Sequence, residues 1–102
     1  MHASISRFAG DPDRLLRSYD AMIEEVGGAA LTAHLCLRAP DGIVVVDTCP
    51  TQEAFERFHA AGGAFAALRR RHGLPDPVAV DDLPVHAAFG NGAPIAVREA
   101  LR

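Results

Sequence analysis

The amino-acid sequence predicts an α+β fold in which four strands and two helices follow one another in the order βαββαβ. An Asp41-Gly42 pair separates two apolar segments, which is a strong signal for a hairpin. Apolar residues at helical spacing precede and follow that hairpin. With 102 residues, 49% of them hydrophobic, the chain is long enough for one domain with a buried core.

The first strand and the first helix are predicted from the N-terminal third of the chain. Alternation of polar and apolar residues indicates a strand over 2–8. Asp11 is suited to cap the next helix and Pro12 fits its first position, while Gly27 and Gly28 end it. The apolar stripe of this helix consists of Leu15, Leu16, Tyr19, Met22, Ile23 and Val26.

The hairpin strands are predicted near 31–38 and 43–49. The second of them, GIVVVD, is apolar on both faces, as expected for a central strand that is covered on two sides. A second helix is predicted to open with Pro50, Thr51, Gln52 and Glu53, because proline and glutamate are both favoured at a helix N-terminus. Gly62 and Gly63 interrupt its apolar stripe, so we expect a break or a kink at that point.

A fourth strand is predicted within 78–89, and Pro84 places it at a sheet edge because proline has no amide hydrogen to donate. Right-handed crossovers then give a ferredoxin-like sandwich with an antiparallel sheet of order 4-1-3-2 and both helices on one face. This prediction assigns 1–90 to a single domain and 91–102 to a C-terminal tail.

The two faces of the sheet follow from alternation along each strand. With Asp41-Gly42 as the turn, His34 is expected opposite Cys49, and the polar side of the hairpin is placed on the open face of the sheet. The residues predicted to face the helices are Ala3, Ile5, Leu35, Leu37, Val44, Val46, Thr48, Val85, Ala87 and Phe89. Those predicted to face away are His2, Ser4, Ser6, His34, Cys36, Arg38, Asp47, Cys49, His86 and Ala88.

Four of these outward residues are predicted to meet at one end of the sheet, in the order His86, His2, Cys49 and His34. Because adjacent strands are about 4.8 Å apart, the row spans roughly 14 Å. A single metal ion cannot bind all four residues at normal ligand distances, and only a neighbouring trio remains as an alternative. No metal site is therefore predicted.

Composition excludes or disfavours several functional classes. The formal net charge is −3, so nucleic-acid binding is not expected. The chain has no lysine, which excludes a Schiff base with pyridoxal phosphate, and its glycine pairs lack the spacing of a phosphate-binding loop. Without an apolar stretch of about 20 residues or a signal-peptide core, we expect a cytoplasmic protein with no membrane association and with both cysteines as free thiols.

The element order and the segment VVVDTCPTQEAFERF at 44–58, a strand that ends in a polar turn before a Phe-containing helix, resemble the dimeric α/β-barrel superfamily. This superfamily includes the antibiotic-biosynthesis-monooxygenase-like proteins. The resemblance covers 1–90 and implies a homodimer whose two sheets pack face to face, with a pocket between sheet and helices in each subunit. Arg69 stands where haem-degrading members have a histidine and the chain has no tryptophan, so haem is not expected and no cofactor is predicted.

The candidate side chains have both functional and structural interpretations. Cys49, at the predicted start of the second helix, is either a thiolate or a buried apolar residue. His2, His34 and His86 are either acid–base groups and ligand contacts or hydrogen-bonded residues that line a dimer interface.

Asp47 is either a base or the structural partner of an arginine such as Arg38 or Arg7. Tyr19 belongs either to the core or to a pocket between sheet and helices.

The function expected from these observations is that of a homodimer that binds a small organic molecule. It would act as a cofactor-independent monooxygenase or isomerase on an aromatic or polyketide-like substrate. Its catalytic candidates are His34, His86, Cys49 and Asp47, and its ligand contacts are His2 and Tyr19. The alternative is a non-catalytic dimeric binding or structural module.

Overall fold

The computed structural model describes residues 1–28 and 31–98, and in them it contains a four-stranded antiparallel sheet, three helices and a small separate hairpin. Residues 99–102 of the predicted tail lie outside the described residues. The elements are β1 (His2–Ala9), α1 (Pro12–Val26), β2 (His34–Ala39), β3 (Gly42–Cys49), α2 (Gln52–His59), α3 (Ala64–Arg71), β4 (Ala79–Pro84), β5 (Ala88–Gly90) and β6 (Ala93–Ile95).

The sheet has the predicted topology. Its strand order is β2-β3-β1-β4, which is the predicted order 4-1-3-2 counted from the other edge, and it is compatible with a ferredoxin-like fold. β4 pairs only with β1, and Pro84 is its last residue, so the edge position inferred from this proline is confirmed. The strand is shorter than predicted, because the chain leaves the sheet after Pro84. Beyond it, β5 and β6 are joined by Asn91 and Gly92, whose positive φ angles of 51° and 77° suit a two-residue hairpin turn.

The helices begin and end where the sequence indicates. The Asp11 carboxylate accepts a hydrogen bond from the Arg14 amide at 3.1 Å, and Gly27 follows the last residue of α1. The expected break in the second helix is confirmed and separates α2 from α3. At this break the backbone passes so close to α2 that a Cβ on Gly63 would lie 2.8 Å from the Arg57 carbonyl oxygen.

The hairpin register differs by two residues from the predicted one. Ala39 pairs with Gly42, so the turn consists of Pro40 and Asp41, and His34 lies opposite Asp47 instead of Cys49. Gly42 is a strand residue that pairs with Ala9 of the adjacent strand β1, and this strand approaches it very closely. A Cβ at this position would lie 1.8 Å from the Phe8 carbonyl oxygen, a distance that only glycine permits.

The predicted orientation of the sheet faces is wrong. The helices cover the side of the sheet that carries Ser4, Ser6 and Cys49, all of which are buried. On the opposite side Leu35 is 58% exposed, Leu37 46% and Leu83 53%. By strand pairing, the residues on this uncovered side are Ala3, Ile5, Leu35, Leu37, Val44, Val46 and Thr48, whereas those on the helix side are His2, Ser4, Ser6, His34, Cys36, Arg38, Asp47 and Cys49. Val85, Ala87, Phe89, His86 and Ala88 lie outside the main sheet, and Phe89 is 71% exposed.

The physical reason for this orientation is that both sides of the hairpin have apolar residues. On the helix side Phe8, Ile43 and Val45 form the core together with residues of α1 and α3. At the other end of the same strands His34 and Asp47 lie beside each other, and His2 pairs with Asp82. The core consists of Phe8, Leu15, Tyr19, Met22, Ile43, Val45, Phe65 and Leu74.

None of the helices in the described part of the chain combines the length and the apolar character that a membrane span requires.

Candidate functional site

A cavity of about 390 Å³ lies between the sheet and the helices, at the polar end of the helix-facing side. Its volume lies within the range of small-molecule sites. Much of its wall is apolar and comes from α1, α2, α3 and the segment after α1. These wall residues include Met22, Ile23, Leu31, Phe58, Phe65 and Leu68.

The sheet contributes most of the polar groups of the cavity. β1 provides two buried serine hydroxyls, and β2 and β3 provide an imidazole, a carboxylate and a thiol. A second imidazole comes from the end of α2. These residues are Ser4, Ser6, His34, Asp47, Cys49 and His59. A largely apolar cavity with a few convergent polar groups is the usual arrangement of a ligand site.

His34 lies between two other polar groups. Its Nε2 is 2.5 Å from the Tyr19 hydroxyl, and the two rings are stacked with their centroids 5.8 Å apart. Its Nδ1 is 3.1 Å from Asp47 Oδ1, which is close enough for an ion pair. The angle between the two groups does not suit a hydrogen bond, so Nδ1 has no hydrogen-bond partner among the described residues. Burial raises the pKa of Tyr19 to about 12, so the phenol is protonated at neutral pH and shares a hydrogen bond with Nε2.

Asp47 is the carboxylate of the cavity, and its side chain is only 16% exposed. Its Oδ1 accepts a hydrogen bond from the Thr48 amide at 2.9 Å and also lies nearest to His34. The Oδ2 atom has no hydrogen-bond partner among the described residues. The predicted arginine partner is wrong for Arg38, because its guanidinium pairs with Asp13 of α1. Asp47 therefore has one oxygen available to a ligand.

His59 was not among the predicted site residues, and the structure places it in the cavity wall. Its ring is surrounded by Phe55, Phe58 and Phe65, with centroid distances of 4.5, 5.2 and 5.4 Å. Burial lowers the pKa of His59, and this effect exceeds the opposite influence of the Asp47 carboxylate. The sequence contains a signal that His59 faces inward. His59 follows Phe55 by four residues and therefore continues the apolar stripe of this helix.

The two cysteines are protonated thiols at neutral pH. Burial raises the pKa of Cys36 to about 11, with a further contribution from Asp20. Burial also raises the pKa of Cys49, and Asp47 and Asp82 act in the same direction. Cys49 is only 7% exposed. The thiolate that its position suggested is not favoured.

The predicted row of His86, His2, Cys49 and His34 is only partly assembled. His2 pairs directly with Cys49 across β1 and β3, and its Nδ1 lies 3.1 Å from Asp82 Oδ1. His86 follows the end of β4 and lines a second, more open cavity near Met1 and Arg98, without contact with the first. Within the described residues no group of three His, Cys, Asp or Glu side chains is arranged to hold a metal ion.

Comparison with known proteins adds no further assignment. No family model matches this sequence, and no match was found among curated proteins or solved structures.

Proposed function

We propose that this protein binds a small, mainly apolar organic molecule in the cavity between the sheet and the helices, and that it transfers a proton of that molecule to Asp47. The single observation that carries this proposal is the partly buried carboxylate of Asp47, which lines a cavity of about 390 Å³ and has one oxygen without a described partner. A carboxylate oxygen within reach of a bound molecule can accept a proton from it.

Proton removal is the step shared by the two reactions that the family resemblance suggests. In an isomerisation, a proton leaves one carbon of the substrate for Asp47 and returns to a different carbon. In a cofactor-independent oxygenation, the carbanion left after proton removal adds dioxygen to give a peroxide anion. The peroxide takes the proton back from Asp47 and loses water, so that one oxygen atom stays on the substrate as a carbonyl and the other leaves as water. In both reactions His34 is a positioning residue, because its Nε2 is engaged by Tyr19 and its Nδ1 faces Asp47.

A homodimer is the second part of the proposal, and the uncovered side of the sheet supports it. This side exposes Leu35, Leu37 and Leu83, and exposed apolar side chains grouped on one face are typical of a protein–protein interface. It also carries Arg7 and Asp81, two opposite charges that form no ion pair with any described residue. A face with both charges is complementary to its own copy across a two-fold axis. This face also favours the alternative function, a non-catalytic dimeric module of the α/β-barrel type.

Oxygen uptake and product analysis with anthrone- and quinol-like substrates test the catalytic proposal. Asp47→Asn should lower the turnover by at least about 100-fold, the usual contribution of a general base, while ligand affinity changes only a few-fold. His72→Gln is the matched control, since His72 pairs with Glu25 at the surface, away from the cavity. Equal turnover in Asp47→Asn and the unmodified protein would refute the role of Asp47, and ligand binding without turnover would favour the non-catalytic module.

Sedimentation at micromolar concentration tests the dimer. Leu37→Lys should convert the dimer to a monomer, because each two-fold interface would bury two added charges without partners. Val78→Lys is the control, since Val78 is 69% exposed but precedes β4 and does not belong to the open sheet face. A monomeric unmodified protein would refute the proposed homodimer.

A further inference from the structure

His59 is held in one orientation by aromatic rings. It is the last residue of α2, its ring packs at 4.5 Å from Phe55 of the same helix, and Phe65 of α3 contacts it edge to face. Phe58 and Phe65 are themselves stacked at 4.6 Å and form part of the cavity wall. The imidazole is thus a polar group within an aromatic wall.

Neither ring nitrogen of His59 forms a hydrogen bond with a described residue, and Nε2 is also sheltered from solvent. Buried polar atoms in folded proteins are nearly always paired, so an unpaired one requires an explanation. The imidazole is neutral at pH 7, because burial lowers its pKa, and it offers one donor and one acceptor.

The charges around the cavity select against an anionic ligand. Asp47 lines the cavity, and Asp82 also acts on His59 through space. Arg69, a cation that acts on His59 through space, lies over the Phe65 ring and does not line the cavity. Its Nη1 donates to Asp76 and to the Pro75 carbonyl, while its buried Nε has no partner among the described residues. A carboxylate or phosphate ligand would therefore meet Asp47, with no arginine in the described cavity wall to balance the two negative charges.

We propose that His59 forms the hydrogen bond that orients the ligand, and that the ligand is an uncharged hydroxylated aromatic molecule whose ring packs against Phe58 and Phe65. This inference rests on the proposed ligand-binding function of the cavity and specifies its substrate class. The hydroxyl supplies the partner that His59 lacks, and the aromatic wall fits a planar ring. His59 is thereby a specificity-determining residue, distinct from the base Asp47.

Calorimetric titration with three probes of the same ring size tests this inference: 1-naphthol, naphthalene and 1-naphthoate. The unmodified protein should bind 1-naphthol about threefold to tenfold more tightly than naphthalene, the range expected for one hydrogen bond, and should bind 1-naphthoate weakest. His59→Phe preserves the aromatic packing and should abolish the preference for 1-naphthol while its affinity for naphthalene is retained. His72→Gln should keep the preference.

The outcomes separate this inference from the proposed function. Binding of naphthalene and 1-naphthol with equal affinity, or an unchanged preference in His59→Phe, overturns the role of His59 and leaves the cavity as a ligand site. Tightest binding of 1-naphthoate overturns the uncharged substrate class. Failure of all three probes to bind overturns both proposals. If His59→Phe does not fold, the imidazole nitrogen resonances of His59 in the unmodified protein should shift on addition of 1-naphthol but not of naphthalene, and unchanged resonances overturn the inference.

Discussion

Tyr19 provides the sharpest physical test of the site, because it is the only tyrosine and the chain has no tryptophan. Its near-ultraviolet absorbance therefore reports the ionisation of a single phenol. Burial is the main cause that raises its pKa from 10.0 to about 12, and the negative charges of Cys36, Asp20 and Asp47 act in the same direction. We expect the tyrosinate absorbance to appear near pH 12 in the folded protein, and near the ordinary value in concentrated urea.

The same shift sets the stability at alkaline pH. A phenol whose pKa is raised on folding stabilises the folded state fully below pH 10, and this contribution is lost as the pH rises through 12. A rise of two units corresponds to about 2–3 kcal/mol, and Tyr19 is only 9% exposed, so solvent screening reduces it little. Tyr19→Phe should remove this part of the alkaline loss. It should also lower the stability at neutral pH by about 1–3 kcal/mol, because His34 Nε2 loses its hydrogen-bond partner.

Urea unfolding at a series of pH values, with the unmodified protein and Tyr19→Phe side by side, measures both effects. Cys36 ionises in the same range, with a pKa of about 11, and its contribution should remain in both proteins. A phenol that titrates at the same pH in folded and urea-unfolded protein would contradict the buried pairing of Tyr19 with His34. An alkaline stability loss that is identical in Tyr19→Phe would lead to the same conclusion.

Three further predictions concern stability and thiol reactivity. Gly42→Ala should cost about 2–4 kcal/mol in urea unfolding, because its Cβ would lie 1.8 Å from a carbonyl oxygen of the adjacent strand. Gly62→Ala, whose Cβ would meet nothing within 4 Å, is its control, and equal losses would count against the strand contact. Thr51→Ala should cost about 0.5–2 kcal/mol through the lost cap of α2, and an unchanged urea midpoint would mean that the cap is not formed. Cys36 and Cys49 should react with a thiol reagent at pH 7 more slowly than in the unfolded chain, since burial raises both pKa values, and equal rates would disprove this protection.

The topology was predictable from sequence because its signals are local and independent. The edge position of Pro84 depends on a missing amide hydrogen, and the break before α3 depends on Gly63, which approaches a carbonyl of α2 too closely for any side chain. Each of these features is encoded by one or two residues. The strand order then follows from the handedness of the crossovers.

The face of the sheet was not predictable in the same way, because alternation only separates two sets of residues and does not say which set the helices cover. The usual choice places the more apolar set inside, and here the set with Leu35 and Leu37 lies outside. The covered set tolerates polar residues because Asp47 and His34 pair with each other beside a cavity. Such pairing is a tertiary property that no periodicity reveals.

The candidate site was correspondingly found only in part. His34, Asp47 and Cys49 were identified and do line one cavity, because they occupy the same side of one hairpin. Cys49 is a less reactive group than its position near a helix start suggested. His59 required knowledge of how the broken helix folds over the sheet, which places its ring among three phenylalanines.

The short helix α2 has a consequence for how a molecule enters the cavity. None of its residues is fully buried, and the glycines that follow it disconnect it from α3. The free energy needed to lift this helix away is therefore much smaller than the free energy of unfolding the sheet. Amide hydrogens of α2 should exchange with solvent well before those of β1 and β3. Under the proposed ligand-binding function, this local opening would admit a small molecule to the cavity while the rest of the domain stays folded.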